Sequence, residues 1–106
     1  MSMRPGFDTI DLHLIRVLHT VIHERSVSRA AVRLASTQPA VSAQLRRLRQ
    51  LTGDPLLVRA GQQMQPTETA LQLLGPAERL LQEAEQLFGR HRAQQRRAAF
   101  EPTQAE

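Results

Sequence analysis

The sequence predicts a mainly α-helical fold: three short helices, a small β-hairpin, and one long C-terminal helix. Three observations carry this. Apolar residues recur at steps of three and four in separate stretches. Capping residues and glycine–proline stops divide those stretches. Between Gly53 and Thr67 the apolar runs are too short for a helix.

The first helix is expected from about Asp11 to about Glu24. Ile15, Leu18 and Ile22 set the period, Leu14, Val17 and Val21 widen the stripe, and Asp8, Thr9 or Asp11 can cap the first turn. A shorter helix fits Ser28 to Ala35, with Ser28 as N-cap and Val27, Ala30, Ala31 and Leu34 inward. The two alanines let another helix approach closely, as a tight helical corner requires. A third helix starts after Thr37, with Gln38 and Pro39 in its first turn, where a missing N–H costs nothing. Val41, Leu45, Leu48 and Leu51 form its inward stripe; Gly53 stops it and Pro55 forbids continuation. Leu56-Leu-Val-Arg59 and Met64-Gln-Pro66 flank Ala60-Gly-Gln-Gln63, which suits a two-stranded hairpin.

Thr67 is expected to cap the long helix, with Glu68 favourable in its first turn. Ala70, Leu73, Ala77, Leu80, Ala84 and Leu87 alternate steps of three and four, as a coiled-coil seam does. Leu74, Leu81 and Phe88 form a second row beside it. A stripe this wide needs two surfaces: one row suits the chain's own body, the other a partner helix. A body of about 60 residues is marginal alone, which also favours dimerisation. Gly75-Pro76 is expected to bend or weaken an early turn. A helix from Thr67 to Arg97 would span roughly 45 Å. The organisation is therefore a globular unit over 8–66, a dimerisation helix over 67–97 and a tail over 98–106.

Composition excludes several functions. The 106 residues contain no cysteine, so disulfides, thiolate metal sites and cysteine nucleophiles are ruled out. No apolar run approaches a membrane span, and Met1-Ser-Met-Arg-Pro-Gly-Phe7 has no apolar signal core, so a cytoplasmic location is expected. No acid–base pair, phosphate loop or nucleophile motif points to an enzyme, and no cofactor is expected. His19 and His23 have helical metal-ligand spacing but lack a third ligand, so they read as a surface pair rather than a zinc site.

Charge is concentrated in the middle of the chain. All 14 basic residues are arginine. From Arg25 to Arg59 there are seven arginines and one acid, Asp54, whereas the segment from Thr67 onward holds five arginines and six acids. The positive field thus covers the short helices and the hairpin. Together these elements have the layout of a winged helix-turn-helix. Burying Val41, Leu45 and Leu48 leaves Gln38, Ser42, Ala43, Arg46 and Arg49 on the other faces of the third helix. Gln can read adenine, Arg guanine, and Ala or Ser can lie against a thymine methyl. Ser28, Arg29 and Arg59 can reach phosphates on either side. Arg90 to Arg97 reads as a solvated end of the linker helix.

Ser26-Val-Ser-Arg-Ala-Ala-Val-Arg-Leu34, Thr37-Gln-Pro-Ala-Val-Ser42, Leu45-x-x-Leu48, Gly53-Asp-Pro-Leu-Leu-Val-Arg59 and Met64-x-Pro-Thr67-x-x-Ala70 occur in the order and spacing of LysR-type transcriptional regulators. Over residues 8 to 88 the chain resembles their N-terminal winged helix-turn-helix domain with its linker helix, most closely the branch containing nodulation and nitroaromatic-catabolism regulators. The resemblance implies a homodimer formed by linker helices, placing two recognition helices on an interrupted dyad in promoter double-stranded DNA. It implies DNA contacts from Ser28, Arg29, Thr37, Gln38, Pro39, Ser42, Ala43, Arg46 and Arg59. Dimer contacts are implied for Ala70, Leu73, Ala77, Leu80, Leu81, Ala84, Leu87 and Phe88. It also implies a C-terminal effector domain, the only route to a small-molecule inducer, with Phe100-Glu-Pro102 as its run-in and the sequence cut at that junction. Ser36, Thr37, Leu57 and Leu71 depart from the commonest family residues. Ala43 stands where many members carry a polar or basic base-reading side chain, which bears on base preference rather than on the mode of binding. A different functional class, a helical dimerisation module without DNA affinity, would use residues 70–88 alone and its arginines only for solubility.

Overall fold

The computed structural model describes residues 10–100, with side chains described through Gly89. Asp8 and Thr9, named above as candidate caps, and the proposed junction at Glu101-Pro102 lie outside the described residues.

Helix α1, Leu12–Glu24, begins where the Asp11 carboxylate accepts the Leu14 N–H at 2.8 Å, satisfying one of the donors a helix start leaves unpaired. It ends at Arg25, which takes a left-handed conformation and donates its N–H to the Val21 carbonyl at 2.8 Å. Leu14, Val17, Leu18, Val21 and Ile22 are all buried, so α1 is the central helix against which the others pack.

Helix α2, Val27–Arg33, is capped two residues earlier than the sequence suggested. Its N-cap is Ser26, not Ser28: the Ser26 hydroxyl accepts the Arg29 N–H at 3.1 Å. Ser28 lies inside the first turn and its hydroxyl sits 3.2 Å from that of Ser26. The helix also stops before Ala35, which adopts φ +52°. Ala30 and Ala31 are buried, and their lack of bulk allows the close α2–α3 corner. The Ser36 N–H, bonded to the Ala31 carbonyl at 2.9 Å, ties that corner.

Helix α3, Gln38–Thr52, is capped by the Thr37 hydroxyl, which accepts the Ala40 N–H at 3.2 Å. Val41, Leu45 and Leu48 are buried, whereas Leu51 lies at the exposed margin. Gly53, at φ +69°, ends the helix with its N–H on the Arg49 carbonyl.

Strands β1, Leu57–Ala60, and β2, Gln63–Pro66, pair antiparallel from Leu57↔Pro66 to Ala60↔Gln63. Gly61 and Gln62 make the turn, with Gly61 at φ +67°. Leu56 belongs to the core rather than to a strand. It is fully buried despite φ +69°, a conformation costing an L-residue roughly 1–2 kcal/mol. Burial and two hydrogen bonds offset that cost: its N–H donates to Asp54 Oδ2 at 2.8 Å, and its carbonyl accepts the Thr67 N–H at 2.9 Å.

Helix α4, Glu68–Phe100, is a single element with Pro76 inside it. Proline cannot donate to the Gln72 carbonyl, but both residues are exposed and water can serve instead. The Thr67 hydroxyl accepts the Ala70 N–H at 3.1 Å and donates to Asp54 Oδ2 at 2.6 Å. The start of α4 is thereby tied to the turn after α3. These hydrogen bonds, first that from Thr67 and then that from Leu56, hold the Asp54 carboxyl below the usual carboxylate range.

The rows on α4 divide differently from the expected heptad. Ala70 and Ala77, assigned to the partner seam, are buried within the chain, and Leu81 is nearly so; Leu74 packs on the same core. These four contribute to the packing of α4 within the single chain. Leu73 and Ala84 are half-buried, while Leu80, Leu87 and Phe88 face outward at 50 %, 64 % and 56 % exposure. Helix face explains the split: the neighbours Leu80 and Leu81 are 50 % and 9 % exposed, one on the outward and one on the inward side of α4.

Candidate nucleic-acid interface

The turn between α2 and α3 holds the first turn of α3 against the body by its inward residues, which leaves the opposite flank open. Thr37, Gln38, Pro39, Ala43 and Arg46 are exposed and Ser42 is half-buried. This flank offers an amide, hydroxyls, a methyl and a guanidinium, the groups that read base edges.

Beside the start of α3 lies a cleft of about 520 Å³ between the α1–α2 turn and the hairpin. Ser28, Arg29, Gln38 and Arg59 line it, so four of the nine expected DNA-contacting residues share one concave surface. Thr37, Pro39, Ser42, Ala43 and Arg46 are not among its lining residues and continue along α3. Among the described residues, no carboxylate lines the cleft. Sequence reasoning missed the other six lining residues, among them Arg25, Gln62 and Gln63, whose long polar side chains suit an anion. The legible signals were the first arginine of the basic segment and two glutamines next to a turn glycine.

The arginines are not equivalent. Glu24 receives Arg33 at 3.0 Å and lies 3.8 Å from Arg29 Nε, while Arg29 Nη2 donates to the Glu24 carbonyl at 3.1 Å. Arg29 is therefore partly committed within the protein. Arg49 donates from Nε to the Pro55 carbonyl at 2.9 Å and so braces the approach to the hairpin. Among the described residues, Arg25, Arg46 and Arg59 make no ion pair with an acid. Their positive charge is available to an anion from outside.

A second concavity, of about 440 Å³, lies where α4 leaves α1 and is lined by Leu12, Arg16, Leu81, Ala84, Glu85 and Phe88 among others. Leu80, Leu87 and Phe88 are exposed on this stretch of α4, with exposed Leu12 of α1 beside the concavity. The rings of His19 and His23 stack 6.0 Å apart, and no group of three potential metal ligands occurs among the described residues. No described helix is long and apolar enough to cross a membrane.

Comparison with known proteins places this geometry in a family. Residues 12–71 match the family described as the bacterial regulatory helix-turn-helix protein, lysR family. The chain is 40 % identical over 79 residues to the transcriptional regulator LeuO of Escherichia coli, covering 74 % of this chain and 25 % of LeuO. It is 46 % identical over 67 residues to the transcriptional activator NagR of a Ralstonia species, covering 63 % of this chain and 22 % of NagR. The chain thus spans about a quarter of the length of these curated relatives. Among solved structures, the BenM DNA-binding domain in complex with catB site 1 DNA superposes with a TM-score of 0.72 at 26 % identity, over 79 % of this chain and 94 % of that one. These relatives are transcriptional regulators rather than enzymes. The chain belongs to the lysR family of bacterial regulatory helix-turn-helix proteins and carries that family's DNA-binding winged-helix domain.

Proposed function

We propose that this chain binds double-stranded promoter DNA as a homodimer and regulates transcription, acting in the cytoplasm on the nucleoid. The observation that carries the reading is the open polar flank of α3 beside an arginine-lined cleft free of carboxylates. Gln38, Ser42 and Arg46 enter the major groove and select sequence, with Thr37, Pro39 and Ala43 in close contact around them. Arg59 on the hairpin, with Ser28 and Arg29, holds the flanking backbone. That the similar BenM domain is found in complex with catB site 1 DNA supports DNA as the partner.

Dimerisation is assigned to the outward part of α4. Leu80, Leu87 and Phe88, with Leu73 and Ala84 at the margin, form the seam; Ala70, Ala77 and Leu81 instead fix α4 to α1. Two half-sites joined this way make the second DNA contact intramolecular, so an interrupted dyad binds far more tightly than either half alone.

The test is sedimentation of the chain with and without a promoter duplex, repeated across salt concentrations. Salt-dependent binding of two chains per dyad is expected. A stable dimer with no affinity for duplex DNA would favour a helical interaction module and overturn the proposal.

A further inference from the structure

Arg25 occupies a position where glycine would be more stable. It is the C-cap of α1 at φ +56°, and a left-handed conformation favours glycine over a residue with a Cβ by about 1 kcal/mol. The fold makes no visible use of the side chain. Its backbone N–H, which any non-proline residue could supply, closes α1 on the Val21 carbonyl. The guanidinium has no ion pair among the described residues, because the adjacent Glu24 is taken up by Arg33 and Arg29. Instead the residue is exposed and lines the carboxylate-free cleft together with Arg59.

We propose that Arg25 and Arg59 form a phosphate clamp, in which one DNA backbone passes through the cleft between the α1–α2 turn and the hairpin. This rests on the DNA-binding reading above and adds a positioning residue to it. The two guanidiniums, from separate elements, each bind the oxygens of one of two neighbouring phosphodiesters along that backbone by charge-assisted hydrogen bonds. They fix the protein's register on the duplex and carry no base information. Arg29, committed in part to Glu24, is the weaker contact of the three.

The experiment measures binding of the whole chain to a random-sequence duplex by fluorescence anisotropy over a range of KCl, with thermal unfolding of each variant alongside. Arg25→Gly removes charge and backbone strain together. Expected are a slope of log affinity against log salt shallower by about 0.9, hence roughly eightfold weaker binding near 0.1 M salt, and an unfolding temperature no lower than wild type. Arg25→Lys should keep the slope. Arg79→Ala, which removes the same charge on α4 outside the cleft, should leave the slope unchanged. An unchanged slope in Arg25→Gly overturns the clamp, as does an equal loss in Arg79→Ala, which would make net charge the cause. A lower unfolding temperature in Arg25→Gly would show a structural role for the side chain and overturn it too. Absence of salt-dependent binding by the wild type would overturn the DNA reading itself, a result distinct from failure of Arg25 alone.

Discussion

Replacing Leu87 on α4 separates dimerisation from DNA contact, because Leu87 lies on the outward face of the long helix and outside the arginine cleft. It is 64 % exposed in the single chain. Complete burial of a leucine is worth about 2 kcal/mol, so covering the exposed part and then truncating it to alanine forfeits about 1 kcal/mol per protomer. A two-fold seam uses the residue twice, which brings the loss to about 2 kcal/mol, or roughly 30-fold in the dimer dissociation constant. Leu87→Asp adds the desolvation of a carboxylate and pushes the loss beyond roughly 100-fold. The monomer should keep its unfolding temperature, since nothing buried is removed. Sedimentation velocity at graded concentrations measures the first effect, and titration of a two-half-site duplex against a single half-site measures its consequence. The variant should bind the single half-site like wild type and lose the advantage of the dyad. A Leu87→Asp chain that remains dimeric at wild-type concentrations refutes the seam.

Other perturbations address the DNA face and the fold. Gln38→Ala should lose about 1–3 kcal/mol of discrimination at one base pair, seen as relaxed preference in a selection from randomised duplexes. Arg59→Ala should weaken binding to all duplexes alike and lower the salt slope by about 1. Thr37→Ala removes the α3 cap and should cost about 1 kcal/mol in urea unfolding. The Asp54 carboxyl titrates below its ordinary value of 3.8 in the folded chain, so its stabilisation is present above that pH and is lost as the pH falls through the folded value. Asp54→Asn should therefore flatten the dependence of unfolding temperature on pH below about 4.

Features governed by neighbours in the chain were legible in the sequence. Asp11, Thr37 and Thr67 cap the helices they precede, and Gly53 ends α3, because each uses a backbone group within four residues. Ser26 and Ser28 could both cap α2; the choice falls to the extended backbone at Ser26, directly after the left-handed Arg25. The stripe on α4 was visible, but its division was not. Which residues meet the chain's own core depends on how distant helices pack, and that packing buries Ala70, Ala77 and Leu81 and half-buries Leu74, across both apparent rows. The exposed flank of α3 followed from burying Val41, Leu45 and Leu48. The cleft did not, since Arg25 and Gln62 meet only after the hairpin folds back toward the α1–α2 turn.

Directed DNA cleavage tests the orientation of α3 most directly. The chain has no cysteine, so Ala43→Cys gives a single attachment point for an iron chelate on the exposed flank of α3. With a promoter duplex, the account predicts two clusters of strand cuts facing the major groove, separated by one helical turn or a small multiple of it. Uniform cleavage along the duplex, or cuts from a chelate at Leu80→Cys but none from position 43, would contradict it.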